Sequence, residues 1–274
     1  MVSSGKTIIV IRMITLNTGK MKILLTNDDG FNAAGLQSLY AGLKDIASVM
    51  IVAPHQERSA VGHGITMNQP LRATPVGNNQ FQWLVNGTPA DCVKLALEYL
   101  IKEHIPDLII SGINHGPNLG NDILYSGTVS AAIEGSFYKI PSIALSLSGR
   151  ENFNFAPAAA FIGKNLNQLK ELASQAILNI NFPTVNHITD YQGFRFTRLG
   201  ALTYQNVIVE CKDPRGQIYF WMAGDPVIQD QSEDSDIQAV EKGFISITPL
   251  HTRLTDCEIL VKFGSLSTNL SINE

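Results

Sequence analysis

MKILLTNDDG, residues 21–30, is the stretch on which the reading of the fold turns. Lys22–Thr26 is a short apolar run that ends abruptly in polar and turn-forming residues, as a buried strand does. Working outward, Ala33–Leu43 places Leu36, Leu39, Tyr40 and Leu43 at helical spacing, and Ser48–Ala53 (SVMIVA) is a second apolar strand closed by Pro54. Continuous apolar strands separated by helices imply a parallel sheet covered on both faces.

The alternation continues downstream. ITMNQPLRATPV and FQWLVN read as short strands joined at Gly77-Asn78-Asn79, a hairpin-like insertion. Thr88-Pro89-Ala90-Asp91 opens a helix, with Thr88 as N-cap, Pro89 in the first turn and Asp91 at the positive end of the dipole. Asp107–Ser111 is a strand, followed by the loop GINHGPNLGNDILYSG and a small-residue helix from Gly127. Pro141–Leu147 is a strand, Ala156–Leu172 a helix and Ala176–Asn181 a strand. Beyond Phe182 the pattern becomes β-rich and irregular, with an acidic polar loop at Gln229–Asp236. The expected organisation is an N-terminal extension without function (1–20), an α/β core (21–182) and a β-rich C-terminal extension (183–274).

The chain has 274 residues, 45% of them hydrophobic, enough for one sizeable core. Charged residues make up 16% and the formal net charge is −4, which argues against a nucleic-acid polymer as partner. No stretch approaches the ~20 apolar residues of a membrane span. The apolar run Ile8–Ile11 is short and interrupted by Arg12, with no signal-peptide cleavage pattern. Three cysteines without metal-ligand spacing point to a reducing, cytoplasmic setting.

Four segments carry chemistry. Asp28 and Asp29 follow the first strand. In parallel α/β sheets ligands gather outside the carboxyl ends of the strands, and two adjacent carboxylates there call for a cation or protons. Asn-Asp-Asp-Gly is equally good turn chemistry. The loop after the second strand offers the Ser59 hydroxyl and the Arg58 guanidinium; its other reading is a solvated charged loop. The Gly- and Asn-rich loop 112–122 adds Asn114 and His115, the latter a candidate acid/base group or a bystander. Ser126-Gly127-Thr128 enters a helix and is either a phosphate seat or an ordinary Ser N-cap. All four are expected on one rim of one sheet, and together they describe a metal-assisted hydrolase of a phosphate ester. There is no GxxxxGK[ST], no GxSxG elbow and no HExxH. The rivals are a nucleotide- or metal-sensing module on the same fold and a hydrolase of another ester.

MKILLTNDDG, APHQERSAVGHGIT, VNGTPADCV, LIISGINHGPNLGNDILYSGTVSAAIEG and GFISITPL together resemble the SurE family of survival-protein-E-type 5′-nucleotidases, from Met21 to about Pro249. The resemblance implies a Rossmann-like, mostly parallel sheet with helices on both faces and one divalent ion, Mg²⁺ or Mn²⁺, per subunit. It places the metal ligands on Asp28, Asp29, Ser59 and Asn114, the phosphate turn on Ser126, Gly127 and Thr128, and Asn118 near the substrate. The implied substrates are nucleoside 5′- and 3′-monophosphates, and short polyphosphate. The implied assembly is a homodimer or homotetramer built through the C-terminal extension. The expected mechanism is attack by metal-activated water, with Asp28 and Asp29 as catalytic ligands, one of which orients or deprotonates the water, and with His115 or water as the leaving-group acid.

Overall fold

Ile23 and Leu25 pack into one hydrophobic cluster and Leu24 into another, and all three side chains are fully buried. A strand apolar on both faces requires cover on both faces. The computed structural model describes residues 19–149, 153–205, 207–222 and 224–265 and supplies that cover. Strand β1 (Lys22–Thr26) leads through α1 (Ala34–Leu43) to β2 (Ser48–Pro54). A hairpin of β3 (Ala73–Val76) and β4 (Asn79–Val85) follows, then α2 (Pro89–Leu95) and β5 (Leu108–His115). Next come α3 (Gly127–Phe137), β6 (Ser142–Ser148), α4 (Ala156–Lys164), α5 (Leu166–Ala173) and β7 (Ile177–Pro183). Leu36, Leu39 and Leu43 of α1, Ile162 of α4 and Leu169 of α5 cover the Ile23/Leu25 face. Cys92 and Val93 of α2 and Ala131 of α3 cover the Leu24 face. Each fully buried Leu, Ile or Val side chain among these contributes about 1.5–3 kcal/mol.

The main sheet has nine strands in the order β3-β4-β2-β1-β5-β6-β7-β13-β8, where β8 is Phe194–Phe196 and β13 is Ile245–Leu250. Neighbours from β4 through β7 are parallel; β3 on β4 and β13 on β7 are antiparallel. From β1 the chain builds outward to β2 and β4, then crosses back to place β5 on the opposite side of β1. The carboxyl ends of β1 and β5 are therefore the topological switch point, where the connections diverge and leave a crevice.

The α/β class holds, and four details differ from the sequence reading. The hairpin at residues 73–85 is no separate insertion, because β4 joins β2 in parallel and β3 forms the sheet edge. Strand β5 runs on past Ser111 to His115, so Asn114 and His115 lie on a strand end instead of in a loop. The expected helix Ala156–Leu172 is two helices broken at Asn165 (φ −112°, ψ 18°). The Asn165 side-chain N–H donates to Phe161 O at 2.8 Å, a local bond that competes with the helical pattern.

The fourth difference is that the sheet crosses the boundary expected at residue 183: β8 and β13 complete it, and α6 (Asp236–Glu241) packs on β7 and β13. What stands apart is β9 (Leu202–Gln205) with β12 (Asp225–Ile228), and β10 (Ile208–Lys212) with β11 (Ile218–Met222), two two-stranded antiparallel sheets, followed by α7 (Cys257–Ser265). The expectation for the N-terminal extension lies, for residues 1–18, outside the described residues.

Candidate active site

The turn after β1 is built to pack tightly. Gly30 has φ +99°, and a Cβ there would sit 3.2 Å from the backbone of Gln56. The Asn27 side-chain N–H donates to Gly30 O at 2.9 Å, and Arg58 N–H donates to Asp28 O at 2.7 Å. These contacts seat the loop after β2 against the loop after β1.

Asp28 is 4% exposed. Its carboxylate accepts the Thr128 hydroxyl and, at 3.2 Å, the Thr128 backbone N–H. Gly127 is required beside it, since a Cβ would lie 2.9 Å from Asp28 Cβ and Oδ2. Asp28 thus lies at the N-terminus of α3, where a helix favours negative charge. Burial nevertheless pushes its carboxyl up to about 6, against the Thr128 hydroxyl, with the neighbouring Asp29 charge adding to the rise. Asp29 is partly exposed and accepts His115 N–H at 2.9 Å. Burial raises its carboxyl as well; the His115 N–H opposes this and the Glu57 charge adds to it.

The end of β5 is brought alongside by a backbone irregularity. Gly112 has φ +128°, and a Cβ there would meet Leu145 O at 2.3 Å. The register with β6 shifts between Ser111 and Asn114 at this point. Asn114 then donates from its side chain to Gly116 O at 2.9 Å. A cavity of about 260 Å³ opens here, lined by Asp29, Gly35, Glu57, Ser59, His115 and Phe155 among others. Ser59 Oγ–H donates to Glu57 at 2.7 Å. Ala33 gives the start of α1 no side-chain cap, and that first turn forms one wall of the cavity.

The structure therefore gathers Asp29, Ser59 and His115 around one cavity and joins Asp28 to Gly127 and Thr128. Two expected site residues also hold the local structure together. Ser126 Oγ accepts Val129 N–H at 3.0 Å and caps α3. Asn118 is buried, donating to Ser146 Oγ at 2.7 Å and to Asn181 Oδ1 at 2.8 Å, while its carbonyl accepts from the Asn179 and Asn181 side chains. It locks the β5–α3 connection onto β6 and β7. The third and fourth segments are also the two halves of that one connection, so three strand ends, not four, supply the rim.

Sequence reasoning missed Glu57, one of several charges in HQERS, whose position on the cavity wall no spacing signals. It also missed Asp236, a buried carboxylate that accepts N–H groups from Gly120 at 2.9 Å and Gly200 at 2.7 Å and ties the same connection to the C-terminal region.

Among the described residues no group of three or more His, Cys, Asp or Glu side chains forms a metal cluster. The strand ends carry the Asp28 and Asp29 carboxylates, the Ser59 hydroxyl and the Asn114 amide, oxygen donors of the kind hard cations take; of these, Asp29 and Ser59 line the cavity. Asn27 Oδ1 adds a buried oxygen without a hydrogen-bond partner.

Residues 23–206 match the family described as survival protein SurE. The 5′-nucleotidase SurE of Alkaliphilus metalliredigens is 45% identical over 253 residues, covering 90% of this chain and 99% of that one. The 5′-nucleotidase SurE of Desulforudis audaxviator is 49% identical over 249 residues, covering 88% and 95%. The crystal structure of the SurE protein from Aquifex aeolicus superposes with a TM-score of 0.78 at 38% identity, covering 88% of this chain and 97% of that one. With a family match across most of its length and relatives of nearly half its sequence, the chain belongs to the SurE family.

Proposed function

We propose that this protein is a 5′-nucleotidase, a metal-dependent phosphatase that hydrolyses nucleoside 5′-monophosphates, with 3′-monophosphates and short polyphosphate as further substrates. The observation that carries the reading is the pair Asp28 and Asp29, partly to fully desolvated at the β1/β5 switch point beside an open cavity. Two adjacent carboxylates held in this way favour a compensating cation. The names of the relatives, 5′-nucleotidase SurE, supply the substrate class.

One Mg²⁺ or Mn²⁺ per subunit would be held by Asp28, Asp29, Ser59 and Asn114. When bound, such an ion neutralises phosphoryl charge and lowers the pKa of water. The chain's own residues prepare the rest. Thr128 fixes the Asp28 carboxylate through two hydrogen bonds. Glu57 accepts the hydrogen bond of the Ser59 hydroxyl, which leaves the Ser59 oxygen lone pairs for a ligand bond. Asp29 faces the cavity with a raised carboxyl and is the group placed to orient the attacking water and take its proton. The Gly127 backbone N–H of the Ser126-Gly127-Thr128 turn and the uncapped start of α1 are the backbone donors for the phosphate oxygens, the type of fixed donor that stabilises charge in the transition state.

A homodimer or homotetramer fits the C-terminal arm, where Phe220 is 60%, Trp221 64% and Met222 81% exposed. Exposed apolar patches of this kind mark association surfaces. The free cysteines Cys92, Cys211 and Cys257 are consistent with a cytoplasmic location, and no helix among the described residues is long and apolar enough to cross a membrane.

Phosphate release from 5′-AMP, 5′-GMP, 3′-AMP and tripolyphosphate, with EDTA and with Mg²⁺ or Mn²⁺ restored, tests the proposal. The expected result is release from 5′-AMP that EDTA stops and metal restores. Release unaffected by EDTA, or none from any nucleotide, would sink it.

A further inference from the structure

Beside the carboxylates the site carries a row of rings. The His115 imidazole lies on the Phe153 ring with centroids 3.7 Å apart and a tilt of 39°. Phe153 in turn lies 6.1 Å from Phe155 at 21°. Phe155 is buried and closes the inner end of the row, whereas His115 is exposed. His115 and Phe155 line the same cavity as Asp29 and Ser59. The His115 backbone is itself held to Asp29 Oδ2 at 2.9 Å. An aromatic ring is thus backed on one face, anchored through its main chain to a candidate metal ligand, and otherwise open to the cavity.

We propose that His115, backed by Phe153, is the stacking platform for the base of the nucleotide, so that the cavity recognises a nucleoside as well as its phosphate. The inference rests on the phosphatase reading of the same site and adds to it the origin of nucleotide preference. Stacking suits this role because every base presents a π face, and it is tolerant of base identity. The backing ring orders the imidazole before substrate arrives, which lowers the cost of binding. The larger rings of purines gain more from the contact than pyrimidines do. The role uses the face of His115, not its proton, and so separates from the acid/base role open to the same residue.

The test compares KM for 5′-AMP with KM for ribose 5-phosphate, which has the same phosphate ester and no base. It is run on the parent protein and on the His115→Ala, His115→Phe and Phe153→Ala variants. In the parent, AMP has the lower KM. His115→Ala cuts that preference about tenfold, His115→Phe keeps most of it, and Phe153→Ala falls between, as expected for one base on one ring. An unchanged preference in His115→Ala overturns the platform, as does a His115→Phe variant as impaired as His115→Ala. Because His115 is exposed, its variants should fold, which circular dichroism checks.

If the parent hydrolyses ribose 5-phosphate with no preference for AMP, the platform falls and the phosphatase reading stands. If it hydrolyses neither, the phosphatase reading falls, and calorimetric titration with adenosine decides the platform. Binding by the parent that is lost in His115→Ala supports it; no binding by the parent overturns it.

Discussion

The rim at β1 and β5 and the arm formed by β9–β12 break the usual placement of side chains in opposite directions. At the rim a carboxylate, Asp28, is buried beside a second one. On the arm every residue of β11, Ile-Tyr-Phe-Trp-Met, is exposed. Burying charge without a partner is costly, as is exposing a continuous apolar strand. Between them lies the β1–β7 sheet, where the common rule holds and Leu24, Leu25, Ile109 and Ile110 are fully buried. Both inversions are what the proposed cation at the rim and the proposed second copy against the arm would resolve. A two-stranded hairpin is marginal alone in water, which makes the arm more dependent on a second surface than the sheet is.

The largest effect should come from removing charge at the rim. Asp28→Asn keeps a hydrogen-bonding group for Thr128 but loses the negative charge, and phosphate release from AMP should fall at least ~1,000-fold, about 4 kcal/mol of barrier, with an unchanged circular dichroism spectrum. Wild-type turnover in that variant would remove the rim from the mechanism. Next is the sheet between the two regions. Leu24→Ala should cost about 3 kcal/mol in urea denaturation, and a much smaller loss would mean that the two-faced burial of β1 contributes less than its packing indicates.

The third prediction concerns the proposed cation. Mn²⁺ at a hundredfold excess over its dissociation constant should stabilise the EDTA-treated protein by about 2.7 kcal/mol. That gain should shrink in Asp29→Asn, read as the shift in thermal midpoint; an equal shift in both proteins would place the ion elsewhere. The smallest effect on stability belongs to the arm. Replacing Trp221 and Met222 by Ser should shift light scattering toward a smaller species, while the dilute chain loses no more than about 0.5 kcal/mol. An unchanged scattering mass would show that the exposed aromatics cover nothing.

Much of the rim could be read in the linear chain, for a definite reason. The change from KILLT to NDDG marks a strand end, and a strand end in a parallel sheet is where ligands collect. Thr88 as N-cap and Asp91 in the first turn were equally readable, and the structure adds a reciprocal capping box with Asp91 N–H on Thr88 Oγ1 at 3.1 Å. Residues whose role depends on a distant partner were not readable. Asn118 has the composition of a ligand-binding loop, yet Ser146, Asn179 and Asn181, on β6 and β7, take up its hydrogen bonds. GFISITP reads as a strand, but nothing in it says that β13 inserts between β7 and β8, because the antiparallel register is set by which sheet edge is free.

By itself, then, the sequence determined the alternation of strand and helix, the two-faced burial of β1 and the presence of paired carboxylates, a hydroxyl and an amide at strand ends. These follow from local periodicity and residue chemistry, which act over a few residues. Tertiary structure alone decided that Asp28 meets Thr128 at the start of α3, that Glu57 holds Ser59, and that His115 rests on Phe153. Each of those pairs except Glu57 and Ser59 is far apart in the chain. Even that pair takes its meaning from the cavity it lines, which exists only once β1, β2 and β5 are aligned by the packing of the whole sheet.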